Sequence, residues 1–269
     1  MKIGNREFNI QNETYVMGIL NVTPDSFSDG GTHNTVEAAL KHTALMIEQG
    51  AAIIDVGGES TRPGYTQISD EEEISRIVPV IEGIKKEFDI PVSLDTYKSQ
   101  VAQAGIEAGA DLINDIWGLK YDAKMAEVIA KGNVACCLMH NRKDTEYTQF
   151  VEDVLTDLKE SVELAKQASI GADKIILDPG VGFAKSYEQN LLIIKEVHRL
   201  KELGYPVLLG TSRKSVIGLT LQVPAVERVA GTVATTVIGV EKGCAFVRVH
   251  DVLENYQAIQ MTRAILNLK

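Results

Sequence analysis

Eight short runs along the chain are almost continuously apolar and end on or beside Gly, Asp or Asn: Tyr15–Leu20, Ala52–Val56, Val92–Asp95, Leu112–Asp115, Val134–Met139, Lys174–Asp178, Val207–Gly210 and Ala245–Val249. A strand with one wet face alternates apolar and polar residues. A continuous apolar run marks a strand buried on both faces, as in a parallel sheet covered by helices. Helical spacing fills the gaps. Val36, Ala39, Leu40, Thr43 and Ile47 repeat on one face and Gly50 ends that run as a C-cap, a role Gly109 repeats before the fourth strand. Ser69 with Glu72 reads as a capping box ahead of a stripe of Ile74, Ile77, Val78, Ile81 and Ile84. Ser186 with Gln189 repeats the device before Leu191, Ile194 and Val197, and the last helix is expected over 253–266.

Strict strand-then-helix alternation implies right-handed crossovers within one parallel sheet, and eight such units favour closure into a (β/α)8 TIM barrel over an open doubly wound sheet. The 269 residues fit this fold, which typically takes about 250. No linker, low-complexity tract or internal repeat divides the chain, so residues 1–269 are expected to form a single α/β domain, with residues 1–13 a short cap over the barrel bottom.

A net charge of −10 argues against a nucleic-acid or membrane partner, because both polyanions would be repelled at long range. An anionic small substrate must then meet a local basic cluster. The N-terminus lacks a signal-peptide pattern and no run approaches the about 18 apolar residues of a membrane span, so a cytoplasmic location is expected. Cys136, Cys137 and Cys244 offer neither a disulfide framework nor zinc spacing and read as small core residues. The Asn12-Glu13-Thr14 and Asn21-Val22-Thr23 sequons read as chance in such a protein.

The unusual polar residues fall where a barrel keeps its chemistry, at the C-terminal strand ends. Asn21 follows strand one, Asp95 ends strand three, Asn114 and Asp115 end strand four, Asp178 ends strand six, Lys214 follows strand seven, and Arg248 and His250 bracket the end of strand eight. A single Asp at a strand end is more often a helix cap or Asx-turn, and Asp115 fits that role. A whole rim of such residues, several inside the strand, is not explained by capping. Lys214 opens a helix, where the dipole disfavours a cation, so a structural purpose there is weak.

Two loops are long for a barrel, whose βα-loops run about two to six residues. The first spans Gly18–Gly31 and contains the stretch Asp25-Ser26-Phe27-Ser28-Asp29; the second, Gly57–Gly64, has paired glycines and the cation Arg62. Two nucleotide motifs fail. Gly210-Thr211-Ser212-Arg213-Lys214-Ser215 has Arg213 where a P-loop needs its second glycine, and Asp178-Pro179-Gly180-Val181-Gly182-Phe183 is followed by Lys185 where a dinucleotide fingerprint needs its third.

The first loop, the segment Gly58–Gly64, Ser93-Leu94-Asp95-Thr96, Ile113-Asn114-Asp115, Asp178-Pro179-Gly180-Val181-Gly182-Phe183, Ser212-Arg213-Lys214-Ser215 and Arg248-Val249-His250-Asp251 together resemble the dihydropteroate synthases, in the same order and strand placement. That resemblance implies condensation of 6-hydroxymethyl-7,8-dihydropterin pyrophosphate with p-aminobenzoate, by a dissociative displacement, to give 7,8-dihydropteroate and pyrophosphate for folate synthesis. It implies sulfonamide sensitivity and a homodimer, to which the Ala- and Val-rich stretch Val229–Val240 could lend a helix face.

It also implies roles. Asp95, Asn114, Asp178 and Lys214 would bind the pterin, with Ile116 and Met139 on its plane. Asn21, Arg248 and His250 would hold the pyrophosphate, with Asn21 also the ligand of Mg2+, which a protein usually holds through few groups plus phosphates and water. Asp95, Lys214 and Asn21 would be the catalytic set. Phe27, Thr61, Arg62, Pro63, Phe183, Lys214 and Ser215 would surround p-aminobenzoate. The segment Met139-His140-Asn141-Arg142-Lys143-Asp144 departs from the Gln-Gly-x-Pro run common in the family, which leaves that loop's contacts open. A methyltetrahydrofolate:corrinoid methyltransferase-type barrel is the alternative. It should lack the anion pair Arg248 and His250 and the long first loop, and both are present here.

Overall fold

The computed structural model describes residues 1–23, 32–59 and 67–268, and within that range the side chains of 32–35 are not described. A two-stranded antiparallel hairpin, β1 (Lys2–Ile3) and β2 (Arg6–Glu7), precedes eight parallel strands: β3 (Tyr15–Asn21), β4 (Ala51–Gly57), β5 (Val92–Asp95), β6 (Leu112–Asp115), β7 (Ala135–Met139), β8 (Ile175–Asp178), β9 (Leu208–Leu209) and β10 (Phe246–Val249). Their order is β8-β7-β6-β5-β4-β3-β10-β9, and a parallel bridge from Leu177 to Val207 joins the two ends. The eight apolar runs are these eight strands, closed into a TIM-like α/β barrel.

The seventh is shorter than its apolar run. Pro206 has no N–H to extend the ladder backwards, and its carbonyl instead accepts from Leu177 N at 3.0 Å. One α-helix follows each barrel strand, except that two follow β9: α1 (Thr32–Glu48), α2 (Asp70–Glu87), α3 (Ser99–Glu107), α4 (Met125–Gly132), α5 (Phe150–Gln167), α6 (Tyr187–Lys195), α7 (Ser215–Leu221) with α8 (Val229–Glu241), and α9 (Val252–Leu266).

Two apolar layers follow from the strand pleat. Side chains facing outward, such as Ile54, Leu94, Ile113 and Leu177, pack beneath the helices with Ile77, Ile81 and Ile84 of α2. Those facing inward at the bottom, Met17, Ile53, Leu112, Cys137, Ile176, Leu208 and Phe246, form one cluster with Ile3 and Phe8 of the N-terminal segment. Phe8 meets Phe246 edge-on at 5.5 Å between ring centroids, which seals that end. The three cysteines are free and buried, two of them side by side on β7 with one in each layer.

Ser186 makes a complete capping box with Gln189, whereas Ser69 accepts only from Glu72 N. The Glu72 carboxylate pairs with Arg76 one turn on and does not reach back to the cap. Leu191 is the one position of its expected stripe that faces out, 42% exposed, while Ile194 and Val197 are buried. Steps of three residues drift round an α-helix by about 60° each, so Leu191 and Val197 cannot share a face. Asn190 and Ile193 fill the inner side instead.

Candidate active site

Strand register brings the polar strand ends to one level. Asn21 pairs with Gly57, Gly57 with Asp95 and Asp95 with Asn114, while Met139 pairs with Asp178 across the barrel wall. Parallel strands end at the same mouth, so these side chains share one rim. Gly57 supplies no side chain between Asn21 and Asp95; a Cβ there would stand 3.6 Å from Asn21 Oδ1 and 3.8 Å from Asp95 Cβ. The glycine therefore keeps open a space with an amide oxygen on one side and a carboxylate on the other. The Asn21 amide makes no hydrogen bond to the described residues.

Arg248 of β10 reaches two carboxylates, on the neighbouring strands β4 and β5. Its Nε donates to Asp55 Oδ2 and its Nη2 to Asp95 Oδ2, each at 2.6 Å. Ser93 donates from Oγ to the other oxygen of Asp55 at 2.5 Å. Burial opposes the Arg248 charge, but Asp55 and Asp95 outweigh it and hold the guanidinium pKa above its usual value. Burial pushes Asp95 up to about 7 against the opposing pull of Arg248. Asp95 Oδ1 is buried and has no partner among the described residues. A buried carboxylate oxygen without a donor is costly in a protein interior, and here it lies where a ligand N–H or a developing positive charge would meet it. Asp55 was not singled out from the sequence, although a carboxylate inside the apolar run Ala52–Val56 was a legible signal.

Asp178 and Lys214 face each other on the opposite side of the mouth. Asp178 Oδ1 accepts from Gly180 N at 2.6 Å, and burial raises its pKa while Lys214 and that N–H oppose the rise. Gly210 keeps close approach possible, since a Cβ there would be 3.5 Å from Asp178 Oδ2. Lys214 is the residue before α7, donates to the Val181 carbonyl and stands 4.9 Å from the centre of the Phe183 ring. Burial pushes its ammonium down to about 8, with Asp178 resisting. Ser215, the first residue of α7, is exposed at that helix N-terminus.

Between these two halves Ile116 and Met139 pack in one apolar patch with Tyr97, flanked by Trp117 and Phe183. Asp115 is engaged in the turn, accepting from Trp117 N at 2.8 Å and Leu119 N at 2.7 Å. His250 is oriented by Ser212, whose Oγ accepts from His250 N at 3.1 Å and lies 2.9 Å from Nδ1. The hydroxyl has a second lone pair and one proton left, so it can either accept from or donate to Nδ1, according to the His250 tautomer. Of the sequence-derived site residues, Phe27, Thr61, Arg62 and Pro63 lie outside the described residues.

Residues 17–250 match the family model described as pterin binding enzyme. A dihydropteroate synthase of Clostridium beijerinckii is 64% identical over 267 residues, covering 99% of each chain. The chain belongs to the dihydropteroate synthase family. The Bacillus subtilis synthase is 53% identical over 95% of this chain and 90% of its own. Among solved structures, the Clostridium difficile synthase in the presence of pteroic acid superposes with a TM-score of 0.95 at 50% identity, over 97% of this chain and all of that one. The Yersinia pestis synthase with a sulfonamide drug gives 0.93 at 39% identity, over 100% and 99% of the two chains. The Xanthomonas albilineans synthase with 4-aminobenzoic acid gives 0.91 at 42%, over 96% and 95%. The family's chemistry, a transferase reaction in the folate pathway, thus sits on a barrel mouth built from two carboxylate–cation groupings and an apolar patch between them.

Among the described residues no cluster of three or more His, Cys, Asp or Glu side chains suits a metal ion, and no helix is long and apolar enough to cross a membrane.

Proposed function

We propose that this chain condenses 6-hydroxymethyl-7,8-dihydropterin pyrophosphate with p-aminobenzoate, releasing pyrophosphate and 7,8-dihydropteroate. The observation that carries the residue assignment is the buried Asp95 Oδ1, without a partner among the described residues, beside Arg248 and on the same rim as Asn114, Asp178 and Lys214. A pterin offers N–H and NH2 donors along one edge and a carbonyl along another. Asp178 and Asn114 read the donors, Lys214 the carbonyl, and Ile116 and Met139 cover the ring plane.

Asn21, Arg248 and His250 hold the pyrophosphate. Arg248 keeps Nη1 outside its two carboxylate bonds for that purpose, and His250 contributes its imidazole. Asn21 Oδ1, beside the space that Gly57 leaves open, suits a magnesium ion that takes its remaining ligands from phosphate oxygens and water. Such an ion would neutralise charge on the leaving pyrophosphate. Departure of that group leaves positive charge on the pterin methylene, and Asp95 stabilises it electrostatically before the weakly nucleophilic arylamine attacks. No side chain acts as nucleophile. The arylamine packs on Phe183, and the family resemblance assigns Phe27, Thr61, Arg62 and Pro63, which lie outside the described residues, to the same substrate. Its carboxylate meets Lys214, the Ser215 hydroxyl and the N-terminus of α7. Sulfonamides compete for that place.

The reading treats residues 1–269 as one pterin-binding domain with residues 1–13 as its cap, located in the cytoplasm. It includes a homodimer. Leu219 and Leu221 of α7, Val226 after it, and Met261 and Ile265 of α9 leave apolar side chains exposed around the half-exposed apolar helix α8, a face that a second copy would cover. The test is product formation: with magnesium and both substrates, pyrophosphate and dihydropteroate must appear in equal amounts. Tight pterin binding without product sinks the reading.

A further inference from the structure

A second polar network lies behind Phe183, in the turn that joins β8 to α6. Lys185 carries three N–H donors, and they meet Gly180 O at 3.0 Å, Phe183 O at 3.1 Å and His140 Nδ1 at 2.8 Å. His140 is buried, and its Nε2 is 2.9 Å from Asp157 Oδ2 on α5. Since Nδ1 accepts, Nε2 holds the proton and donates to Asp157, which fixes the tautomer. Asp157 also takes Arg142 through Nε at 2.5 Å and Nη2 at 3.1 Å. Arg142 stacks on Tyr147 at 4.5 Å, and the Tyr147 hydroxyl donates to Ala184 O at 2.8 Å. From the other side Asn190 Oδ1 accepts from Gly182 N at 2.6 Å.

The turn needs this grip. It passes through the left-handed region three times, at Gly180 (φ +68°), Gly182 (φ +86°) and Ala184 (φ +46°). For Ala184, which has a Cβ, that conformation costs about 1–2 kcal/mol and persists only where its surroundings hold it. At Gly180 the backbone is pressed so closely on the end of β7 that a Cβ would lie 1.9 Å from His140 O.

We propose that Lys185, oriented by His140 and Asp157, is a positioning residue for the arylamine half of the site. It fixes the carbonyls on either side of Val181–Gly182, and so the place of the Phe183 ring. Stability alone does not explain the choice of residue. A buried ammonium whose direct partners are all neutral is expensive, and burial pushes it down to about 7. An apolar side chain of equal length would cost less but could not hold two carbonyls at one point. The inference rests on the placement of Phe183 against p-aminobenzoate.

The test compares Lys185→Met, His140→Leu and His140→Gln, the last supplying both an acceptor for Lys185 and a donor for Asp157, with Phe183→Ala as the control. Lys185→Met and His140→Leu should raise KM for p-aminobenzoate about tenfold or more, with KM for the pterin pyrophosphate changed by less than about threefold, and His140→Gln should restore most of the loss. An unchanged arylamine KM in Lys185→Met, an equal rise in both KM values, or a His140→Gln variant as damaged as His140→Leu overturns the proposal. If Phe183→Ala leaves the arylamine KM unaltered, the placement of the arylamine is itself wrong. If Phe183→Ala raises it and Lys185→Met does not, only the positioning role fails.

Discussion

Arg248 holds Asp95 by one carboxylate oxygen at 2.6 Å, and the other is buried with no partner among the described residues. The same guanidinium holds Asp55, which is fully buried, so one cation is shared by two carboxylates inside the barrel mouth. Removing it strands both.

Arg248→Met should therefore destabilise the fold by about 3–5 kcal/mol in a denaturant melt, the usual cost of breaking a buried pair from one side. It should also lower kcat/KM by more than about a hundredfold. Arg248→Lys should recover little, since a single ammonium cannot offer Nε and Nη2 in one plane to two carboxylates. A lysine variant with near-native activity would contradict this.

The two halves of the site titrate close to neutrality from opposite directions. Asp95 is needed ionised, and its pKa is pushed up to about 7, so activity rises with pH through that value. Lys214 is needed protonated, and its pKa is pushed down to about 8, so activity falls above that value. The kcat/KM profile of the free enzyme should be a narrow bell whose limbs belong to the coupled site. Asp95→Asn should remove the acid limb from whatever activity survives. A flat profile from about pH 6 to 9 would refute the assignment.

Much of this was legible along the chain. Continuous apolar runs gave all eight barrel strands, and the polar residues at their ends proved to share one rim because parallel register carries Asn21, Gly57, Asp95 and Asn114 to one level. Asp55 was passed over because it sits mid-strand, where only the register shows that it lies beneath Gly57 and within reach of Arg248, 193 positions away. The His140–Lys185 contact joins two loops 45 residues apart and has no local signature. Ser69 and Ser186 carry the same sequence signal, yet only one forms both bonds, because Arg76 competes for Glu72.

The capping difference is measurable. Ser186→Ala and Ser69→Ala should each cost about 1 kcal/mol, since each removes one bond to a serine hydroxyl, whereas Gln189→Ala should cost about 0.5–1 kcal/mol by removing the acceptor of the Ser186 N–H, a bond that Ser69 lacks. An unchanged thermal melt in Gln189→Ala would mean that the second bond at Ser186 contributes nothing.

The exposed apolar face should hold a second copy. Met261→Glu combined with Ile265→Glu places like charges across a two-fold interface and should shift sedimentation from dimer to monomer while leaving the far-ultraviolet spectrum unchanged. Monomeric wild-type protein at micromolar concentration would remove the dimer from the account.

The division of the mouth into a pterin half and an arylamine half is tested most directly by calorimetric titration of each substrate into Lys214→Ala, Asp178→Ala and Ser215→Ala. The first two should lose pterin pyrophosphate affinity by more than about a hundredfold, while Ser215→Ala keeps it and weakens only p-aminobenzoate in the ternary complex. Equal loss of both substrates in all three variants would contradict the division.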